Sequence, residues 1–110
     1  METIVFAGAA RTPQGKFGGR LSSLTAPELA AVAIRAAVER SGLAPEDVDY
    51  VILGNVLSAG LGQAPARQAA LLAGIPPTAS AMLVNQVCAS GMMAIAVAAH
   101  MVQSGMAKVV

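Results

Sequence analysis

Tryptophan is absent from this 110-residue chain and aromatic residues make up 3% of it, so large rings contribute little to any core. Burial must come from close packing of small and aliphatic side chains, since 24 alanines and 11 glycines stand in a composition that is 55% hydrophobic. A single cysteine, Cys88, excludes an internal disulfide framework and any multi-cysteine zinc site. The single histidine, His100, cannot make up a metal ligand count. A reducing, cytoplasmic setting fits that cysteine usage. Charge is scarce as well: 7 Lys and Arg against 6 Asp and Glu leave a net charge of +1, with no basic excess to track phosphates. Nucleic acid is not expected as a partner. The length allows one small domain at most, and so apolar a composition excludes intrinsic disorder.

No Asp, Glu, Lys or Arg stands between Arg67 and Lys108. Pro76, Pro77, Asn85, Gln86 and Gln103 interrupt that stretch, and its longest clean apolar run, residues 91–99, falls well short of the roughly 20 residues that span a bilayer. Burial inside protein is therefore expected, with no membrane partner. At the N-terminus Glu2 replaces the basic region of a signal peptide, and the apolar run from Ile4 stops at Arg11. No export signal is read.

Residues 3–10 are rich in β-formers and predict a first strand, ended by Arg11, Thr12, Pro13, Gln14 and Gly15. Thr25-Ala26-Pro27-Glu28 is a Thr-x-x-Glu capping box, with Leu24 and Leu29 placed as a hydrophobic staple, and it predicts a helix that Gly42 stops. Tyr50, Val51, Ile52 and Leu53, with Val56 and Leu57 beyond, read as a strand covered on both faces. Pro65 and Gly74 bracket a short helix. Residues 81–87 predict a third strand, residues 89–104 a third helix ending at Gly105, and residues 108–110 the start of a fourth strand. This β-α-β-α-β-α-β order implies an α/β fold with a parallel sheet. In the third helix every position from 91 to 102 except His100 is apolar, so it must be enclosed all round. One sheet covers only one face of a helix. The cover for the other face, and the rest of the sheet, are expected outside these 110 residues.

Chemistry concentrates at Cys88, which falls where the third strand meets the third helix. Unpaired N–H groups and the dipole at a helix start favour an anion and so enlarge the thiolate fraction of a nearby thiol. Ser90 and Gly91 are small and allow substrate or another backbone to approach. The competing reading is that Cys88 is a small buried apolar residue. His100 is excluded as its base, because 12 residues of helix separate the two by roughly 18 Å. Gly60-Leu61-Gly62-Gln63-Ala64-Pro65 partly imitates a dinucleotide fingerprint, but proline holds the third glycine position and no acid follows about 20 residues on. Lys16 with Gly15, Gly18 and Gly19 lacks the lysine-serine order of a phosphate loop. Both read as structural loops. The 6 methionines read as core filler, and no metal or resident cofactor is expected.

Several separated motifs occur in the order found in thiolases: Arg11-Thr12-Pro13 with Gly15-Lys16-Phe17-Gly18-Gly19, then Gly54-Asn55-Val56-Leu57, Gly60-Leu61-Gly62-Gln63 and Pro65-Ala66-Arg67-Gln68-Ala69-Ala70, then Asn85-Gln86-Val87-Cys88-Ala89-Ser90-Gly91. Over its whole length the chain resembles the amino-terminal part of that family, and especially its acetyl-CoA acetyltransferase branch. The resemblance implies part of a five-layer αβαβα sandwich, with the nucleophile helix in the middle layer. It implies that Cys88 takes an acyl group from an acyl-CoA and that its backbone N–H contributes to an oxyanion hole. Asn85, Ser90 and Gly91 would support that motif. It also implies that coenzyme A serves as substrate carrier, and that the assembly is a homo-oligomer, dimer or tetramer, with residues 81–87 pairing between subunits. The family's second cysteine, catalytic histidine, Asn-containing oxyanion motif and most of its CoA-binding loop fall outside these 110 residues, so the chain alone is expected to be inactive. A longer-chain 3-ketoacyl-CoA thiolase, a β-ketoacyl synthase and a non-catalytic assembly fragment are the competing functions, and the first two of these motifs favour thiolase over synthase.

Overall fold

A computed structural model describes residues 3–110. Helix α1 spans Ala26–Ser41 and begins as its capping box dictates: Thr25 Oγ1 accepts the Glu28 N–H, and the Glu28 carboxylate accepts the Thr25 N–H at 2.7 Å. Gly42, in the left-handed region at φ 75°, ends it. A 3-10 turn at Pro45–Asp47 leads into β1, Tyr50–Gly54. Helix α2, Pro65–Leu72, crosses over to β2, Ser80–Val84, and α3 covers Ser90–Gln103.

The two strands run parallel, in register from Tyr50 opposite Ser80 to Gly54 opposite Val84. Val51 lies in a core with Ala31, Ala70, Ala73, Ile75 and Ala79, and Leu53 packs against it. Burying Val51 and Ile75 stabilises the fold by about 1.5–3 kcal/mol each. The alanines contribute differently, by letting helix backbones come close to the sheet and to each other; Arg35 Nη2 reaches from α1 to the Leu72 carbonyl of α2 at 2.8 Å. Side chains alternate along β1, so Ile52 faces away from that core and meets α3, which lies on the sheet's other side. The α/β class and the three helices agree with the sequence reading.

The strand order needs correction. Residues 3–10 form no ladder. They pass instead over the end of α1, where the Gly8 backbone presses against the Ala37 carbonyl and Arg40 Nη1 bonds the Ala9 carbonyl at 2.8 Å. β-forming residues make a strand only when another strand pairs with them, and none pairs with this segment among the described residues. Residues 108–110 fail for a different reason: the Asp49 carboxylate takes the Lys108 and Val109 N–H groups at 2.7 and 3.0 Å, so side chain replaces ladder. One strand-like bond remains, from the Asp49 N–H to the Val109 carbonyl at 2.9 Å. β1 stops at Gly54, leaving Val56 and Leu57 exposed rather than sandwiched. β2 stops at Val84, and the expected continuation to residue 87 is a turn.

Helix α3 is covered on one face by this chain, with Ala94 and Met101 buried while Met92 is 74% exposed and Ile95 is exposed. A single sheet allows no more. No described helix is long and apolar enough to cross a membrane.

Candidate functional site

The turn between β2 and α3 carries Cys88, and its shape follows from two side chains, Asn85 and Ser90. Asn85 Oδ1 accepts the Val87 N–H at 3.0 Å, the short bridge by which asparagine forms a turn on its own backbone. Val87 then sits in the left-handed region, φ 49°. For a β-branched residue that conformation costs about 1–3 kcal/mol and persists only where its surroundings hold it. Ser90 supplies the hold: its Oγ accepts the Gln86 N–H at 2.9 Å and donates to the Val87 carbonyl at 2.6 Å. The backbone adds Ala89 N–H to the Gln86 carbonyl at 3.0 Å and Ser90 N–H to the Val87 carbonyl at 3.2 Å.

Cys88 stands on this closed turn as a free, exposed thiol. The competing expectation of a buried apolar filler fails for the chain as described. Cys88 lies two residues before the first residue of α3, whose first turn contains no acid, so no carboxylate there opposes a thiolate. Ser90, by contrast, is buried.

Gly54 fixes the turn from the sheet side. A Cβ on Gly54 would lie 2.5 Å from the Ser90 carbonyl carbon, 2.6 Å from Gly91 N and 2.8 Å from Ser90 Cβ. Only a glycine at the end of β1 lets the strand touch the start of α3 in this way. Sequence reasoning quoted Gly54 within a motif but missed this role; a lone glycine closing an apolar strand is the signal for a close backbone approach. Val87 was missed too, and Asn85 two residues earlier was its one clue. Gly91 has open space where a Cβ would stand, so nothing in this chain requires glycine there. It borders an open apolar groove of about 270 Å³ between β1 and α3, lined also by Ile52, Gly54, Ala94 and Ala98.

The other sequence candidates stay apart from this turn. His100 is three helical turns along α3 and its Nδ1 pairs with the Ala96 carbonyl at 2.7 Å. It does not meet Cys88. In the loop before α2, Gly60 and Gly62 have positive φ and Ala64 adopts φ 49°, while Gln68 Nε2 donates to the Leu61 and Gln63 carbonyls at 2.7 and 2.8 Å. That loop is closed on itself as a helix entrance. The Lys16 loop is a turn held by the Gly19 N–H on the Lys16 carbonyl at 2.9 Å. Among the described residues no three His, Cys, Asp or Glu side chains gather where they could hold a metal.

Residues 4–110 match the family model described as the thiolase N-terminal domain. The chain is 53% identical over 110 residues to the acetyl-CoA acetyltransferase of Cupriavidus necator and 54% identical over 107 residues to acetyl-CoA acetyltransferase 2 of Arabidopsis thaliana, covering 28% and 27% of them. Among solved structures it superposes on Acat5 thiolase from Ascaris suum in complex with coenzyme A with a TM-score of 0.88 at 41% identity, over 90% of this chain and 26% of that one. It thus spans about a quarter of the length of the relatives it matches. The two parallel strands and three helices are a partial thiolase fold.

Proposed function

Because the chain belongs to the thiolase N-terminal domain family, we propose that Cys88 is the acyl-accepting nucleophile of an acetyl-CoA acetyltransferase of which these 110 residues form the amino-terminal part. The observation that carries this reading is the free thiol held out of a tightly hydrogen-bonded turn at the start of α3. The Cys88 thiolate attacks the thioester carbon of acetyl-CoA, and the carbonyl π pair moves to oxygen, where the Cys88 backbone N–H helps to stabilise it. Collapse breaks the bond to coenzyme A, whose thiolate leaves and takes up a proton. A second acetyl-CoA, deprotonated at its α-carbon, then attacks the acetyl group and releases acetoacetyl-CoA and free Cys88. Transfer of the acetyl group from coenzyme A to Cys88 exchanges one thioester for another at little cost in free energy, and by microscopic reversibility thiolysis runs through the same steps in reverse. The base that removes the α-proton, the second oxyanion donor and most CoA contacts belong to segments outside these residues. The working form is a homo-oligomer, and the five-layer sandwich is completed by those segments.

Release of coenzyme A tests the reading. In the full-length protein, mixing with acetyl-CoA is expected to release one coenzyme A per Cys88 in a first burst, absent from Cys88→Ala. A burst that survives Cys88→Ala assigns the acyl group to another residue.

A further inference from the structure

We propose that Ser90 is the positioning residue of the nucleophile turn: its hydroxyl holds Val87 in the left-handed conformation that presents Cys88, and so sets how fast Cys88 is acylated. This rests on the reading of Cys88 as nucleophile and adds what keeps that nucleophile in place. Ser90 is buried at 5% exposure, and its one hydroxyl is used twice, accepting from the Gln86 N–H and donating to the Val87 carbonyl. Both partners precede Cys88 in the chain, so the hydroxyl ties the first turn of α3 back across the loop that bears the thiol.

Within these 110 residues packing does not hold Val87 in that conformation, because its side chain is 65% exposed. Hydrogen bonds must do so, and those available come from Ser90 and from Asn85 on the opposite side of the same residue. Ser90 is in turn fixed by the strand: its Cβ and carbonyl carbon fill the space that a side chain on Gly54 would occupy. Position is thereby passed from β1 to Ser90, from Ser90 to Val87, and from Val87 to the neighbouring Cys88 peptide.

The test compares four full-length proteins: wild type, Ser90→Ala, Val87→Asn and the double variant. Acetylation of the Cys88 peptide by acetyl-CoA is timed by mass spectrometry, alkylation of Cys88 by iodoacetamide is timed separately, and circular dichroism checks folding. Ser90→Ala is expected to slow acetylation by about 10- to 100-fold while keeping the wild-type spectrum, since small misplacements at a reacting centre cost this much. In the Val87→Asn background the same change is expected to cost less than about threefold, because asparagine enters the left-handed region without the serine's help. Equal losses in both backgrounds would overturn the proposal, since Ser90 would then act by something other than Val87. No loss overturns it as well, and an unfolded Ser90→Ala assigns the hydroxyl to the fold at large and does the same. If wild-type Cys88 is never acetylated, the nucleophile reading fails by itself; the alkylation rates still decide whether Ser90 and Val87 control how Cys88 is presented.

Discussion

Replacing Gly54 by alanine puts one methyl group where the structure has no room for it. The new Cβ would stand 2.5 Å from the Ser90 carbonyl carbon and 2.6 Å from Gly91 N, both backbone atoms. Carbon atoms rest at about 3.5–4.0 Å, so β1 and the start of α3 must separate by about 1 Å. Overpacking of this kind costs about 1–3 kcal/mol, and the upper half of that range applies because no flexible side chain can swing aside. The movement falls on Ser90 and so on the turn that carries Cys88, where a displacement near 1 Å lowers a reaction rate by about 100-fold. Gly15→Ala is the matched control: its Cβ would meet Leu21 at 3.5 Å, an ordinary contact, and a change within about 0.5 kcal/mol is expected. Urea unfolding and the rate of Cys88 alkylation, measured on both variants of the full-length protein, give the two readouts. Gly54→Ala behaving like Gly15→Ala in both would refute the claim that the strand end positions the nucleophile turn.

Thr25→Ala removes the acceptor for the Glu28 N–H at the start of α1 and is expected to cost about 1 kcal/mol in urea unfolding, while Thr25→Ser keeps the cap and most of the stability. Asp49 predicts a pH dependence. The Lys108 N–H, then the Val109 N–H, hold its carboxyl below the usual aspartate value, so its stabilising contribution is fully present above that value and is lost as the pH falls through the lowered one. Amide protection at Lys108 and Val109, taken as the exchange rate relative to the intrinsic rate at the same pH, should fall over that acidic window in wild type and show no such step in Asp49→Asn; a step that persists in Asp49→Asn contradicts the assignment.

Local chemistry was legible in the sequence wherever one short segment determines the outcome. Thr25 and Glu28 make a cap from four residues, Gly42 and Gly74 take the positive φ that ends a helix, and Pro65 opens α2. Cys88 could be placed at a strand-to-helix junction for the same reason. What depends on distant partners was not legible. Residues 3–10 have the composition of a strand, but a strand exists only with a neighbour, and here the backbone lies on α1 instead. Residues 108–110 lose their ladder to the Asp49 side chain, some 60 positions earlier, which no local pattern announces. The site divides in the same way. Asn85 and Ser90 were named as support from the motif, yet their work, on a valine with φ 49°, emerges only from coordinates, because valine is a residue that sequence reasoning keeps out of the left-handed region. Gly54, more than thirty residues from Cys88, acts by the absence of a side chain.

The central claim, that Cys88 carries the acyl group, is tested most directly by finding that group. The full-length protein is incubated briefly with acetyl-CoA, quenched in acid, digested, and each peptide weighed. One acetyl group is expected on the peptide containing Cys88, labile to hydroxylamine as a thioester is, and absent when Cys88 is replaced by serine. An acetyl group on any other residue, with Cys88 unmodified, would contradict the account.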